Sequence, residues 1–260
     1  MTPEAAQRAA RLLDGWLRER RPYATLPEDC RPRNEAEAYA IQDRLHPLLV
    51  PRLGKRVGWK IALTTPQMQK LVGVDRPCLG AIFASTLHHG HVTVKAADYV
   101  KLAVECEVAV RLGRAPAPPF TAEHLADCVE AAMAGIEIVD DRAIDYTKFE
   151  AWHLMAYNAF NHGAVLAPPN KDWRKLDLTQ VRGTIHIDGQ EVGTGKGGDV
   201  MGHPLNALAM AAETLHGRGQ GLQAGDVVLT GSVVTTKWPK PGQTAVIAVE
   251  GLGEAKLSVV

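Results

Sequence analysis

Cysteine is scarce in this chain. Its four residues, Cys30, Cys78, Cys106 and Cys128, lie far apart and form no CxxC pair. A disulfide framework or a zinc-binding knuckle is therefore not expected, and reduced thiols in a cytoplasmic protein are the simpler expectation. Charge of one sign is also missing: Lys plus Arg and Asp plus Glu number 29 each. Nucleic-acid binders carry a basic excess or stripe, so no nucleic-acid partner is expected. A net charge near zero gives little resistance to self-association, which leaves oligomerisation open on composition alone. No run of about 18 uninterrupted apolar residues exists, so no membrane-spanning helix is expected. The opening stretch MTPEAAQRAARLLDGWLRER has neither an apolar core nor a small-residue cleavage site, and does not read as a secretory signal.

What is present is the composition of a globular protein, with 46% hydrophobic and 22% charged residues. Residues 3–20 place Ala9, Leu12, Leu13, Trp16 and Leu17 at helical spacing. A Pro- and Arg-rich loop leads to a second helix with Asn34 as N-cap and Glu37 three residues on. From about residue 55 short apolar runs dominate. VGWKIAL reads as a strand, PQMQKLVG as a short helix, and GAIFAS, HVTV and KLAVECEVAVRLG as strands. TAEHLADCVEAAMAG, residues 121–135, reads as a helix with Thr121 as cap and Gly135 as stop; IEIVD follows as a strand. GTIHIDGQEVGTG predicts a hairpin at Asp188-Gly189, HPLNALAMAAETLHGRG a helix, and DVVLTG, TAVIAVEG and EAKLSVV the last strands. The expectation is an α+β fold with a rolled or barrel-like mixed sheet. It forms one domain over residues 1–260, with a helical N-terminal region at 1–55 and a β-rich catalytic core at 56–260.

Within the strand at 103–112, Glu105 and Glu107 share a face, while Val104, Cys106, Val108 and Val110 occupy the other. Two carboxylates roughly 7 Å apart, two strand steps, repel if buried together. They need solvent, a raised pKa or a cation. Glu137 repeats the pattern between Ile136 and Ile138. Three carboxylates on apolar strands suit a hard cation such as Mg²⁺ or Mn²⁺. A solvated sheet face explains the Glu-x-Glu pair as well, and Asp140 and Asp141 rival Glu137 as the third ligand.

The segment GWKIALTTPQMQKLVGVDRPCLGAIF, residues 58–83, resembles the 2-keto-4-pentenoate hydratase and 4-oxalocrotonate decarboxylase family of the fumarylacetoacetate hydrolase superfamily. Gly58, Lys60, Leu63, Thr64, Met68, Gln69, Gly73, Val74, Asp75 and Pro77 carry the resemblance; Ala62 and Thr65 are mild departures. It continues through VECEVAVRLGR, GIEIVDDR, GKGGDVMGHPLNALA and AGDVVLTGS in colinear order. The resemblance implies a fumarylacetoacetate hydrolase-like fold and a divalent cation, Mg²⁺ or Mn²⁺, on Glu105, Glu107 and Glu137. It implies catalytic roles for Lys60 and Asp75, and substrate contacts from Lys60, Val108 and Asn161. The resemblance also implies a small 2-keto acid as partner, a homo-oligomer, since family members commonly are, and association with a pathway enzyme. The implied reaction is water addition to a 2-hydroxy-dienoic acid, through an enolate that the cation stabilises, in aromatic catabolism. Decarboxylation of the 4-oxalocrotonate type and acylpyruvate-type C–C hydrolysis are the alternatives. A lysine desolvated near a cation is expected to have a lowered pKa.

One departure bears on substrate. Where the family carries D-N-A-S-S-G, this chain has Tyr157, Asn158, Ala159, Phe160, Asn161, His162 and Gly163. Asn161 and His162 are then the polar contacts in place of the serines, or cap a local turn. His153 reads as a packed or surface histidine. His88, His89 and His91 fall where the superfamily's hydrolases carry a His–Glu pair, but in a hairpin-like setting. Gly193, Gly195 and Gly198 satisfy GxGxxG without a parallel βαβ context, Lys196 lacks the Ser or Thr of a P-loop, and Ser232 lacks a nucleophile elbow.

Overall fold

The computed structural model describes residues 1–145, 149 and 151–260. Two helices open the chain. Helix α1 (Pro3–Arg18) is capped by the Thr2 side chain, and α2 (Glu35–Leu53) by Asn34, whose side-chain Oδ1 accepts from the Glu37 N–H at 2.9 Å. Strand β1 (Arg56–Ala62), helix α3 (Pro66–Val72) and strand β2 (Cys78–Phe83) follow. Next come the short strands β3 (Leu87–His89) and β4 (His91–Val94), and the long β5 (Leu102–Leu112). Helix α4 (Ala122–Ala126) precedes β6 (Val129–Asp140); α5 (Ala151–Ala156) precedes β7 (Asn161–Leu166). The expected hairpin forms as β8 (Arg182–Ile187) and β9 (Gln190–Lys196), with Asp188 and Gly189 both at positive φ. Helix α6 (Pro204–Gly217) and strands β10 (Val227–Ser232), β11 (Thr244–Val249) and β12 (Gly253–Val259) complete the chain.

The strands form a seven-stranded sheet in the order β2-β1-β10-β5-β6-β7-β3 and a five-stranded sheet in the order β4-β12-β11-β8-β9. The α+β expectation holds, as a rolled mixed sheet without closure into a barrel: β2 and β3 are the edges of the larger sheet. The even-numbered side chains of β5 face the smaller sheet, with the Cys106 thiol 4.0 Å from the Ala248 carbonyl oxygen of β11. The expected hairpin around His88–His91 is corrected. Strand β3 pairs with β7 in one sheet and β4 with β12 in the other, so Gly90, at φ 69°, carries the chain between sheets.

The predicted helix over 121–135 is also corrected. Only Ala122–Ala126 is helical, and β6 begins at Val129. Ala131, Ala132, Met133 and Ala134 favour a helix locally, but each pairs with a residue of β5, and the ladder outweighs the local preference. The N-terminal helices are built into the core. Ala9, Leu13, Ile41 and Leu45 are fully buried in the same apolar cluster as the sheets. The Gln42 amide donates to the Leu79 and Met155 carbonyls at 2.7 and 2.8 Å, and the Tyr39 hydroxyl accepts from the Leu79 N–H at 3.0 Å. No helix among the described residues is long and apolar enough to cross a membrane.

Candidate metal centre and its cavity

Pairing of β5 with β6 places Glu105 opposite Glu137, while Glu107 lies opposite Gly135. Alternation turns all three carboxylates to one face. Each offers an oxygen, and those oxygens lie within 4.8 Å of one another. Glu107 and Glu137 are wholly buried, and Glu105 is half-buried.

One oxygen of each carboxylate is held by the protein. The Gly231 N–H donates to Glu107 Oε2 at 2.6 Å. The Thr236 hydroxyl donates to Glu105 Oε1. Glu137 Oε1 accepts from Lys60 Nζ at 2.9 Å and from the Asn161 amide at 3.1 Å. The second oxygens of Glu107 and Glu137 are buried without a protein partner. A buried carboxylate oxygen with no donor is costly, and a hard cation satisfies several at once. The residues therefore fit a divalent cation. Asp140 and Asp141 are engaged elsewhere. Asp140 binds Arg142 at 3.0 Å and the Val100 and Lys101 N–H groups; Asp141 binds Lys101 Nζ at 2.8 Å and the Trp238 indole at 2.9 Å.

Burial, then the charge of Glu137, raises the Glu105 carboxyl above its ordinary range. Burial followed by Glu137 and Glu105 raises Glu107 well above it. With no cation bound, burial pulls the Lys60 pKa down, but the charges of Glu137 and Glu105 outweigh that, and it is raised. In the cation-free protein Lys60 stands as the ammonium partner of Glu137.

Glu105 and Lys60, with Ser232 and Thr236 among others, line a cavity of about 550 Å³, while Glu107 and Glu137 are buried beside them. Gly231, whose N–H holds Glu107, has no room for a side chain. It sits at φ 112°, and a Cβ there would meet the Thr64 side chain at 2.5 Å. Gly231→Ala is therefore expected to lose the Glu107 hydrogen bond and divalent-cation affinity together, checked by the cation-induced rise in melting temperature. The Ser232 hydroxyl donates to the Val234 carbonyl at 2.6 Å, and no histidine is among the described lining residues to act as its base.

Two expected site residues are not brought to the cluster. Asp75 is exposed on the turn after α3, 3.4 Å from Arg76, outside the cavity. Asp75→Asn is expected to keep kcat/KM within about twofold, the range of surface changes; a larger loss would restore its catalytic role. Val108 lies on the even face of β5, buried opposite Ala134 and away from the glutamates, so its side chain packs in the core instead of touching substrate. Asn161 is brought in, through Glu137. His162 packs against the Tyr99 ring at 4.4 Å. His153 is fully buried, its Nε2 accepting from the Leu26 N–H at 3.0 Å, as a packed histidine. Among the histidines between β2 and β5, His91 binds Ser258, and none lines the cavity. Lys196 is exposed beside Gln180.

Sequence reasoning missed the role of Asn158. It begins three consecutive left-handed residues, Asn158, Ala159 and Phe160, at φ 58, 50 and 54°. Such residues persist only where their surroundings fix them. The Asn158 amide pairs with both backbone groups of Ala81, at 2.6 and 2.9 Å, and its Oδ1 also accepts from His46 Nε2 at 2.9 Å. An acceptor there requires the proton on Nε2, and burial pushes the His46 pKa down to about 4. The chain comes so close that a Cβ on Gly80 would meet the Asn158 carbonyl oxygen at 2.4 Å. Asn158→Ala is expected to destabilise the fold by about 2–3 kcal/mol through unpaired buried groups, measured by denaturant unfolding.

The family model for the C-terminal domain of fumarylacetoacetate hydrolase matches residues 73–260. A 2-keto-4-pentenoate hydratase of Paraburkholderia phymatum is 36% identical over 255 residues, covering 96% of this chain and 95% of its own. A 4-oxalocrotonate decarboxylase of Pseudomonas putida is 28% identical over 229 residues, covering 86% and 85%. The solved 4-oxalocrotonate decarboxylase of Pseudomonas putida G7, complexed with magnesium and adipate, superposes with a TM-score of 0.93 at 22% identity, covering 100% of this chain and 99% of that one. Colinear motifs, two-sheet fold and matched relatives agree: this chain belongs to the fumarylacetoacetate hydrolase family, among the relatives of its 2-keto-4-pentenoate hydratases.

Proposed function

We propose that this protein is a divalent-cation-dependent hydro-lyase that adds water to a 2-hydroxy-dienoic acid in its 2-oxo form, with Mg²⁺ or Mn²⁺ at Glu105, Glu107 and Glu137. The observation that carries the reading is the convergence of those three carboxylates with the buried Lys60, beside a cavity that Lys60 and Glu105 line. The cation would supply Lewis-acid stabilisation of negative charge developing on the 2-oxo group. The chain's own residues do the rest. Gly231, Thr236 and Asn161 fix the carboxylate orientations, which preorganises the site. Lys60 Nζ holds positive charge and a proton at the cavity wall, where the substrate carboxylate also needs a counter-charge. The named relatives support hydration over the other reactions of the family.

The test is an assay of 2-hydroxypenta-2,4-dienoate after stripping with EDTA, then with Mg²⁺ or Mn²⁺ restored. Loss and recovery of water addition, with carbon number conserved, is expected. Full turnover in EDTA would contradict the cation requirement. Release of CO₂ would assign decarboxylation, and formation of two acids would assign C–C hydrolysis.

A further inference from the structure

The charged end of the cavity gives way to an apolar wall within one strand repeat. Strand β1 runs parallel to β10, β10 antiparallel to β5, and β5 antiparallel to β6, so β1 and β6 run the same way. Two residues beyond Lys60 on the same face is Ala62, and two beyond Glu137 is Val139; each step is about 7 Å. Asn161, the first residue of β7, pairs with Val139, which sets Phe160 at that same end of the sheet. Phe160, Val139, Ile144, Phe149 and Leu154 all line the cavity there. The Phe160 ring is backed by Tyr157 at 5.5 Å and Phe149 at 6.1 Å, and its backbone is held by the Asn158 anchor.

Charge points the same way. Among the described lining residues Lys60 is the one cation, and it is already paired with Glu137; the acidic lining residues are Glu105 and Asp199. A cavity of about 550 Å³ also lies within the range of about 300–1,000 Å³ that takes ligands much larger than a five-carbon acid.

We infer that the cavity selects a 2-oxo or 2-hydroxy-dienoic acid whose far end is a bulky uncharged group, an aryl ring or alkyl chain, and disfavours a terminal carboxylate, with Phe160 as a specificity-determining residue. The inference rests on the proposed function only in placing the 2-oxo carboxylate at the Lys60 end. Burial of a ring or chain against this wall strengthens binding, whereas a second carboxylate would be desolvated with no free cation beside it among the described lining residues.

The test is calorimetric titration of the Mg²⁺-loaded protein with three unreactive acids: 2-oxobutanoate, 4-phenyl-2-oxobutanoate and 2-oxoadipate. It is paired with kcat/KM for dienoates bearing hydrogen, phenyl or carboxylate at the far carbon. The phenyl compound is expected to bind at least about tenfold tighter than 2-oxobutanoate, and 2-oxoadipate no tighter than 2-oxobutanoate. Phe160→Ala is expected to narrow the phenyl advantage at least about fivefold, and Leu154→Ala is the second variant should the first fail to fold. Equal affinity for the two monocarboxylates, tightest binding of 2-oxoadipate, or an unchanged phenyl advantage in a folded variant overturns the inference. If the binding order holds but no dienoate is hydrated, the hydro-lyase reading fails and the inference stands. If only the five-carbon or dicarboxylic dienoate is hydrated, the inference fails and the hydro-lyase reading stands.

Discussion

Glu107→Gln is expected to abolish cation binding and activity while making the cation-free protein more stable at alkaline pH. Its carboxylate is wholly buried, with one oxygen on the Gly231 N–H and the other without a protein donor. Loss of a direct ligand should cost more than the 10–100-fold typical of an outer hydrogen-bond partner, so kcat/KM should fall by at least about a hundredfold. The stability effect has the opposite sign. Burial and the neighbouring glutamates raise the Glu107 pKa in the folded state above its unfolded value. The folded protein then binds the extra proton between those two values. Stability from this group is complete below the unfolded carboxyl pKa, about 4.3, and is lost as pH rises through the folded value. Glu105 has the same sign. The cation-free wild type should therefore weaken from about pH 4.3 upward relative to Glu107→Gln. At pH 8 the variant should melt higher, by about 2–4 °C for each kcal/mol of relief. Divalent cation should reverse the order, adding about 2.7 kcal/mol to the wild type at a hundred times Kd and nothing to the variant. Thermal melts of both proteins across pH 5–8, with and without Mg²⁺, measure every part of this.

Lys60→Met is expected to be the most destabilising change at the site. Lys60 and Glu137 are both buried and 2.9 Å apart, and Asn161 is the other donor to the same carboxylate oxygen. Breaking a buried ion pair by deleting one partner costs about 3–5 kcal/mol, because the remaining charge is stranded. Added divalent cation should recover part of that loss by giving Glu137 another positive partner. Turnover should not recover with it, since the cation replaces the charge at Glu137 but not the proton held at Nζ. Lys60→Arg keeps a charge but not the compact point-charge geometry of an ammonium, and should recover stability better than kcat. Wild-type turnover in a folded Lys60→Met protein would reduce Lys60 to a structural counter-ion.

The carboxylate face was legible because a strand has a period of two. Glu105 and Glu107 alternate with Val104, Cys106 and Val108, and no other regular structure puts both acids on one face. Meeting with Glu137 was not legible from spacing, because the β5–β6 register depends on pairing across more than twenty residues of chain; the family resemblance supplied it. The same pairing explains the failure over 129–135, where an Ala-rich run with helical preference became a central strand. Asp75 and Val108 were carried over with motifs, and the fold turned one to solvent and the other to the inter-sheet core. Thr236 left no usable signal, and Asn158 only its match to the family's D-N-A-S-S-G stretch, without a role. A left-handed turn pinned by a side chain, and a hydroxyl reaching across 131 positions of sequence, have no periodicity to read.

The most direct measurement is anomalous diffraction from a crystal soaked in Mn²⁺ after EDTA treatment. A single manganese peak within bonding distance of carboxylate oxygens from Glu105, Glu107 and Glu137, beside the Lys60 ammonium, is the expected result. A fully soaked crystal with no peak there, or with manganese held elsewhere, would contradict the three-glutamate site and the function built on it.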